Sequence, residues 1–516
     1  METPLTEVYD TVLENLKDMS NRFTRIFDQA TRGVQIRRNY AVTINRLPEE
    51  LLSLIFVFIG DSGRDKMHIA QTCSLWRKIA LGHPFMWTSL DLGTIDNSYT
   101  ASKIFRRGQD YPLRMRCHDW NNLRIRCLIF ELSRLQELDM SWTSAVHNAS
   151  ANREAPVLKR LTISVPYNVN LWPCYIPPPF LSAYPRLEYL RLVDCRMPFT
   201  PTNFRGLKEL SIESFAFFAP KMDDDEHITS VLRSCPDLEK LSLQGVNLHS
   251  EHSHPDSSIV HLPRLRSIQL TLRPSDILAI LSGIAAPNLR QCMLKVDGVQ
   301  LDAHHGPLIT GFLPSLSLLT LTDTLVVDER TSTVCAFNTG AQMMFTFVAT
   351  QRVPPVTQRT TLAAFASHYS MPLLQTVRLW ALPPSDAILL LRSFCSIQTL
   401  ELVYNVSHDT PVGSTSIVQK LLREAKDIDE PLICARLHTL TMERAYVSIQ
   451  SVDDLWELAA LWPSLRRLRL HRCQADLPMD ELTQLLTSDL FTVEYFSSPL
   501  AHDSEMGLDV STTSIL

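Results

Sequence analysis

The sequence predicts an α/β protein in which a short helical part precedes a long irregular array of helix–strand repeats with a curved parallel β-sheet. Three observations support this prediction. A helix that is apolar on every side begins next to Pro48. From residue 131 onward a Pro-x-Leu-x-x-Leu-x-Leu pattern recurs with drift, mostly about every 20 to 31 residues. Several copies of this pattern follow segments in which apolar residues have helical spacing.

The bulk properties restrict the class of protein. The chain has 516 residues, of which 45% are hydrophobic, and a net charge of −6. That charge argues against a nucleic-acid or membrane-surface binder. No apolar run reaches the ~18 residues of a membrane span, and the N-terminus lacks the features of a signal peptide. The 11 cysteines are scattered without a Cys-x-x-Cys pair, so we expect reduced thiols in a cytoplasmic or nuclear protein.

Residues 1–40 are predicted to form an amphipathic helix. Its apolar residues recur mainly at spacings of three and four, as a heptad seam requires. They are Leu5, Val8, Val12, Leu16, Met19, Phe23, Ile26 and Ala30. Two interpretations are open: a short coiled coil that forms a homodimer, or a helix that packs on the rest of the protein.

The next predicted segment, residues 41–92, opens with a clearly marked helix. Pro48 suits the first turn, where its missing N–H would have no helical partner. Glu49 and Glu50 place negative charge at the positive end of the helix dipole. Apolar residues then cover almost the whole circumference between Leu51 and Ile59. Such a helix must be covered on all sides, and so short a segment favours a partner protein as part of the cover.

These residues resemble the F-box, the module that docks substrate receptors onto the Skp-type adaptor of cullin-RING ubiquitin ligases. The resemblance rests on the Leu-Pro-acid start, on the Leu-rich helix with its Ile-Phe pair, and on a later half with Cys73 and Trp76 followed by Ile79 and Ala80. The segment from Pro84 through Trp87 to Leu92 resembles the one that follows the F-box in proteins of filamentous and mushroom-forming fungi. The stretch 60–67 departs from the family pattern, because it is more polar and richer in glycine.

The resemblance implies a set of adaptor-binding residues, which supply either the apolar docking surface or the packing behind it. They are Leu47, Pro48, Glu49, Leu51, Leu52, Ile55, Phe56 and Trp76. It also implies a Skp-type adaptor as the direct partner and a cullin reached through that adaptor.

Residues 93–496 contain the predicted repeats. In each copy the last two apolar positions alternate, as in a strand with one buried face, and the earlier Leu fills the turn before it. The period is that of leucine-rich repeats, which stack into a solenoid with a parallel sheet on the concave face. A mixed α/β domain with a local Pro-x-Leu habit is the alternative. The copies are 135–140, 156–163, 185–192, 207–212, 236–243, 263–270, 287–294, 314–321, 374–379, 397–402, 437–442 and 463–470.

Helices are expected between repeats, with starts at Ser275 and Ser385, each followed by Asp. The acidic run 223–226 is expected to supply charge to a helix N-terminus or, alternatively, to bind a basic partner. Residues 497–516 are Ser-, Thr- and Asp-rich and are expected to form a disordered tail.

The sequence offers no motif for catalysis or for a cofactor. It has no glycine-rich phosphate loop and no Gly-x-Ser-x-Gly elbow, so we expect a protein that is not an enzyme. One cluster has the spacing of metal ligands: His249, His252, His254 and Asp256. Because it lies in a polar Ser/Asp/Pro stretch, a solvated loop is the favoured interpretation over a metal site.

The outward residues of the predicted strands are polar, with both charge signs and a few aromatic rings, as is typical of protein recognition. Aromatic and arginine side chains contribute most to such contacts. The candidate residues for binding an unknown protein substrate are Tyr189, Arg191, Arg378, Trp380, Arg467 and Arg469.

The combined prediction is a substrate-receptor subunit of a Skp–cullin–F-box (SCF) ubiquitin ligase. One alternative is a scaffold that binds the adaptor but ubiquitinates nothing. The other is a leucine-rich-repeat binding protein without a ligase role. In that second case the helices of 44–80 only cap the repeats, and Leu51, Ile55 and Phe56 are buried against them.

Overall fold

The computed structural model divides into two compact units, Met1–Met197 and Pro198–Leu516. Besides a few isolated residues, and apart from single positions or pairs inside these ranges, it describes residues 5–143, 154–165, 185–195, 206–214, 228–246, 259–296, 321–328, 333–338, 343–349, 371–403, 433–475 and 492–496. The histidine cluster at 249–256, the acidic run at 223–226 and the predicted tail at 497–516 lie outside these ranges.

The first unit starts with helices and continues into a parallel sheet. Its helices are α1 (Leu5–Ala41), α2 (Glu49–Val57), α3 (Gly63–Thr72), α4 (Ser74–Gly82), α5 (Ser98–Arg107) and α6 (Asn122–Glu131). Its strands are β1 (Ser89–Asp91), β2 (Leu113–Cys117), β3 (Leu135–Ser141), β4 (Arg160–Ser164) and β5 (Tyr189–Val193). These strands pair in chain order and all run parallel. The sheet therefore begins before the first copy of the sequence pattern.

The helix α1 is 37 residues long and continues past the predicted seam. None of its residues is buried, and its apolar side chains are exposed along the whole length. Packing on the rest of the protein would bury one face of this helix, and in the part of the chain that the structure describes no residue of α1 is buried.

The second unit contains the remaining described elements. Its helices are α7 (Ile228–Arg233), α8 (Pro274–Ser282), α9 (Pro384–Arg392) and α10 (Ile449–Leu461). Its strands are β6 (Glu209–Glu213), β7 (Lys240–Gln244), β8 (Val260–His261), β9 (Ser267–Leu272), β10 (Ile284–Ala285), β11 (Gln291–Val296), β12 (Thr324–Asp328), β13 (Thr333–Asn338), β14 (Met343–Ala349), β15 (Thr376–Trp380), β16 (Thr399–Val403), β17 (Thr439–Glu443), β18 (Tyr446–Val447), β19 (Arg467–His471), β20 (Gln474–Ala475) and β21 (Thr492–Phe496).

The main sheet of this unit is parallel except at one place. The strands β6, β7, β9 and β11 pair in chain order, and so do β15, β16, β17, β19 and β21. Between these two runs the order is β14, β13, β12, with β13 antiparallel to both neighbours. The predicted α/β class with a parallel β-sheet is confirmed, and β13 is the strand among those described in this sheet that runs antiparallel to its neighbours. The copy predicted at 314–321 lies outside the described residues except for Leu321, which is exposed.

A recurrent turn explains the Pro-x-Leu pattern. The leucine donates its backbone N–H to the carbonyl three residues earlier: Leu238 to Cys235, Leu265 to Leu262, and Leu465 to Trp462. The proline then occupies the second position of the turn, where its fixed φ is favourable. The leucine is buried in these copies. The pattern therefore encodes one turn, one core contact and the start of one strand.

The helix starts differ from the prediction in detail. Helix α8 begins at Pro274 and α9 at Pro384, one residue before the expected serines. In α8 the N-cap is Arg273, whose side chain makes no capping hydrogen bond. Proline at the first helical position sets these starts, because it loses no hydrogen bond there.

Among the described helices, none combines the length and the hydropathy needed to cross a membrane.

Candidate functional site

Helix α2 separates its apolar residues into two faces. Pro48 is the N-cap, and Glu49 and Glu50 stand in the first turn as expected. Leu52 and Phe56, one turn apart, are 0% and 1% exposed. These two predicted adaptor-binding residues therefore belong to the core of the helical part and support the surface from behind.

The opposite face of α2 is an exposed apolar stripe. Leu51 is 47% exposed, Leu54 55%, Ile55 40% and Phe58, at the C-cap, 86%. Their spacing places these four residues on one side of the helix, and Leu47, in the extended segment just before α2, is also exposed. We call these five residues the α2 stripe. A contiguous apolar surface of this kind is typical of surfaces that bind another protein.

The core behind the stripe is fixed by Trp76 of α4. Its ring lies 5.0 Å from the ring of Phe56, centroid to centroid, at a tilted angle. Its Nε1 donates a hydrogen bond of 2.6 Å to Oδ1 of Asn45, in the 3-10 turn before α2. Sγ of Cys73, the N-cap of α4, accepts from the backbone N–H of Trp76. Trp76 and Cys73 therefore orient α4 against α2.

Glu49 lies at the start of α2 and forms an ion pair with Lys78 of α4, with 2.8 Å between Oε1 and Nζ. The hydrogen bond and the charge of Glu49 raise the pKa of Lys78. Both side chains are exposed, so water screens the pair and its contribution to stability is small. The predicted contact residue Glu49 is thus already engaged within the protein, next to the stripe.

A different part of the helical segment joins the repeats. Asp91 of β1 donates its N–H to the carbonyl of Asp61 at 2.8 Å, and the N–H of Gly63 donates to Oγ1 of Thr94 at 2.9 Å. A Cβ on Gly63 would lie 3.1 Å from Cγ1 of Ile95. The polar, glycine-rich stretch 60–67 is therefore the junction with the first strand. Of the three residues that a simple cap would bury against the repeats, Leu51 and Ile55 are exposed, while Phe56 is buried and packs against the ring of Trp76.

Lys66 is buried at this junction, and its Nζ donates to the carbonyl oxygen of Ser89. Burial lowers the pKa of Lys66 from its ordinary value of 10.5 to about 8, although the charge of Asp61 opposes the shift. Between these two values the unfolded chain binds more protons than the folded one, so this group makes stability rise with pH.

We expect the Lys66→Met variant to be more stable than the wild type at pH 7, because it buries no charge. From pH 8 to 9.5 that advantage should shrink by about 1.5 kcal/mol as the wild-type lysine loses its proton. Urea titrations followed by circular dichroism measure the difference. For the exposed Lys78→Met control the difference should stay constant over this range, and a constant difference for Lys66→Met would refute the shifted pKa.

Along the strands of the first unit, outward side chains alternate with buried core side chains. The outward side chains include the first candidate residues for binding a target. On β5, Tyr189 packs under the guanidinium of Arg160, whose Cζ lies 3.8 Å from the ring centroid. Arg160 also lies 3.8 Å from Glu137, which is 3.4 Å from Arg114 on β2. Arg191 is exposed on the same strand face as Tyr189. The structure thus adds Arg160, Glu137 and Arg114 to the predicted pair.

The second unit holds the other candidates on its own strand face. Nη2 of Arg378 lies 2.9 Å from Glu443 and Nε 3.4 Å from Glu401, while its guanidinium lies 5.0 Å from the ring centroid of Trp380. Arg469 pairs with Glu494 at 2.9 Å. The predicted residue Arg467 is exposed on this face. This part of the face is therefore nearly charge-balanced, with Trp380 as its large aromatic ring.

An apolar strip that the pattern did not predict lies on the same face. It arises where β12, β13 and β14 interrupt the repeats, because Phe337 pairs with Met344 and Val326 with Cys335 across these strands. Met344 is exposed, and the other three residues are half-buried. The alternation of apolar residues in 324–348 was the available signal, but these strands lack the Pro-x-Leu turn.

Among the described residues, no group of three or more His, Cys, Asp or Glu could hold a metal ion. The described cysteines are free thiols. Burial raises the pKa of Cys117, Cys292 and Cys434 to about 12, so these side chains stay protonated and are poor nucleophiles at neutral pH.

Comparisons with known proteins agree with the helical part of this description. A solved structure of an LRR protein from Leptospira interrogans has 12% sequence identity to this chain, covers 76% of this chain and 98% of its own length, and gives a TM-score of 0.24. No curated protein matches the chain. The F-box-like family model matches residues 44–93. This segment, which contains the α2 stripe, is therefore an F-box-like domain, as its residues predicted.

Proposed function

We propose that this protein is a substrate-receptor subunit of an SCF ubiquitin ligase. Its F-box-like domain binds a Skp-type adaptor and thereby a cullin, and its strand faces bind a protein target. The observation that carries the proposal is the α2 stripe, a set of apolar side chains that the chain itself leaves exposed. An amphipathic helix of this kind suits a hydrophobic groove on a partner.

The residues of the F-box-like domain take two roles in this proposal. Leu47, Pro48, Leu51 and Ile55 contact the adaptor, as the family resemblance implies, together with Leu54 and Phe58. The predicted residues Leu52, Phe56 and Trp76 hold the stripe in place from the core side. The exposed Glu49–Lys78 pair borders the contact and affects specificity more than affinity.

The proposed role in catalysis is proximity. The receptor itself makes and breaks no bond; it holds a target near a ubiquitin-loaded enzyme and so raises the effective concentration of the reacting groups. Tyr189 with Arg160 and Arg191, and Trp380 with Arg378, Arg467 and Arg469, are the proposed target contacts. Aromatic and arginine side chains in this combination are typical of the residues that dominate protein interfaces. These partners imply a cytoplasmic or nuclear location.

We expect the intact protein to join a purified Skp-type adaptor, a cullin and its RING subunit in one complex, because the adaptor would bridge the α2 stripe to the cullin. Size-exclusion chromatography with light scattering measures the mass of that complex. A complex with the adaptor that excludes the cullin would identify an adaptor-bound scaffold. If the folded chain binds no adaptor, the protein is a free-standing repeat protein, and the receptor proposal is wrong.

A further inference from the structure

The exposed face of α1 forms a continuous apolar seam. Successive positions alternate strictly between steps of four and three residues over Leu5, Tyr9, Val12, Leu16, Met19, Phe23, Ile26 and Ala30. Leu13, Phe27 and Val34 widen the seam along one edge and are exposed as well. Helices gain most of their stability from packing of an apolar face. A 37-residue helix with no buried residue therefore requires an apolar partner.

Charge is distributed unevenly along α1. Residues 5–18 carry four acids (Glu7, Asp10, Glu14, Asp18) and Lys17, which gives −4 + 1 = −3. Residues 19–41 carry five arginines (Arg22, Arg25, Arg32, Arg37, Arg38) and Asp28, which gives +5 − 1 = +4. The helix is thus an acidic half followed by a basic half, with an ion pair of 2.9 Å between Asp18 and Arg22 where the two halves meet.

We propose that α1 pairs with α1 of a second copy of this chain, in antiparallel orientation, through this seam. A parallel pair would place like-charged halves side by side, whereas an antiparallel pair places each acidic half against a basic half. Packed helices lie about 8–10 Å apart, which is close to the Debye length at physiological salt. Salt therefore screens these charges only in part, and their interaction energy favours the antiparallel pair over the parallel one. The helix dipoles also favour the antiparallel orientation, because it places the positive end of one helix beside the negative end of the other.

With the two seams fully overlapped, Tyr9 of one copy lies opposite Ile26 of the other. This inference does not rest on the proposed adaptor function, because every residue it uses precedes the F-box-like domain. It also explains why α1 can be long and uncovered in a single chain: its apolar cover is the same helix of the second copy.

The first test is the mass of the intact protein in solution, measured by light scattering at increasing concentration. We expect twice the chain mass for the wild type and a single chain mass for Leu16→Asp/Phe23→Asp. The control Asn21→Asp/Thr31→Asp adds the same two charges away from the seam and should remain a dimer. A wild type that stays monomeric up to about 50 µM would overturn the proposal, because we expect the dissociation constant of such a specific helix pair to be lower than this concentration.

The second test uses the sign of a charge effect and leaves the apolar seam intact. Arg22→Glu/Arg25→Glu changes the charge of the basic half from +4 to 0. For an antiparallel pair we expect the dimer dissociation constant to rise, by roughly threefold to tenfold at low salt. For a parallel pair the same change would relieve repulsion and lower the constant, so a tighter dimer would overturn the antiparallel orientation.

A photo-crosslinking amino acid in place of Tyr9 gives an independent readout of orientation. Trypsin cuts after Lys17 and Arg25, so it separates the peptide that contains residue 9 from the one that contains Ile26. The antiparallel dimer should yield crosslinks between these two peptides. Crosslinks between two copies of the first peptide would contradict it.

Discussion

Replacing Leu51 and Ile55 together by aspartate should abolish binding of a Skp-type adaptor, with a loss of affinity of at least about 100-fold. Both side chains are exposed in the free chain, at 47% and 40%, and belong to the α2 stripe. Two carboxylates in an apolar contact would have to lose their water without gaining a partner, which costs several kcal/mol. Isothermal titration calorimetry measures the affinity, and far-ultraviolet circular dichroism checks the fold.

The matched control for this variant lies on the same helix. Ser53 and Val57 are also one turn apart, and neither is buried, but they are outside the stripe. Ser53→Asp/Val57→Asp should therefore change the affinity for the adaptor by no more than a few-fold. Equal losses in the two double variants would show that added charge, and not the stripe, is responsible.

Phe56→Ala should destabilise the F-box-like domain by about 3–5 kcal/mol, the usual cost of removing a buried aromatic ring. Phe56 is 1% exposed and packs against Trp76 at 5.0 Å, so truncation leaves a cavity beside the ring. Phe58→Ala removes the same side chain two residues later, where it is 86% exposed. It should cost less than about 0.5 kcal/mol of stability. Urea unfolding measured by tryptophan fluorescence compares the two variants.

The order of the two variants should reverse for adaptor binding: the variant that loses less stability should lose more affinity. At temperatures where both are folded, Phe58→Ala should weaken the complex more, because Phe58 belongs to the α2 stripe itself, while Phe56→Ala should weaken it less, because Phe56 supports the stripe only from the core side. Similar stability losses in both variants would contradict the assignment of Phe56 to the core and of Phe58 to the surface.

Most of the strands could be predicted from the sequence because one local sequence motif repeats. A proline at the second position of a turn, a buried leucine that closes it and two alternating apolar residues specify a short strand without information from distant residues. Leu238 and Leu465 are complete examples of this motif, since each donates the turn hydrogen bond and has a buried side chain. The family resemblance supplied the F-box-like domain in the same way, from residues close together in sequence.

The parts that the sequence did not predict depend on distant partners. Every residue from Leu54 to Ile59 is apolar, so only Trp76, Asn45 and the packing of α4 decide that Phe56 is buried while Leu54 and Phe58 are exposed. The antiparallel strand β13 lacks the turn motif, and alternation alone does not give a strand its direction. The junction at 60–67 uses the backbone carbonyl of Asp61 and the backbone N–H of Gly63, whose partners are Asp91 and the distant Thr94 hydroxyl, so the residue types of the stretch itself do not reveal it.

The most direct test of the central claim is a calorimetric titration of the intact chain with a purified Skp-type adaptor, combined with hydrogen exchange of the complex. We predict saturable binding with a negative change in heat capacity, since apolar surface is buried. We also predict slower exchange of the amides between Leu47 and Phe58. Absence of saturable binding by the folded chain, or protection that omits these residues, would contradict the assignment of the α2 stripe as the adaptor-binding surface.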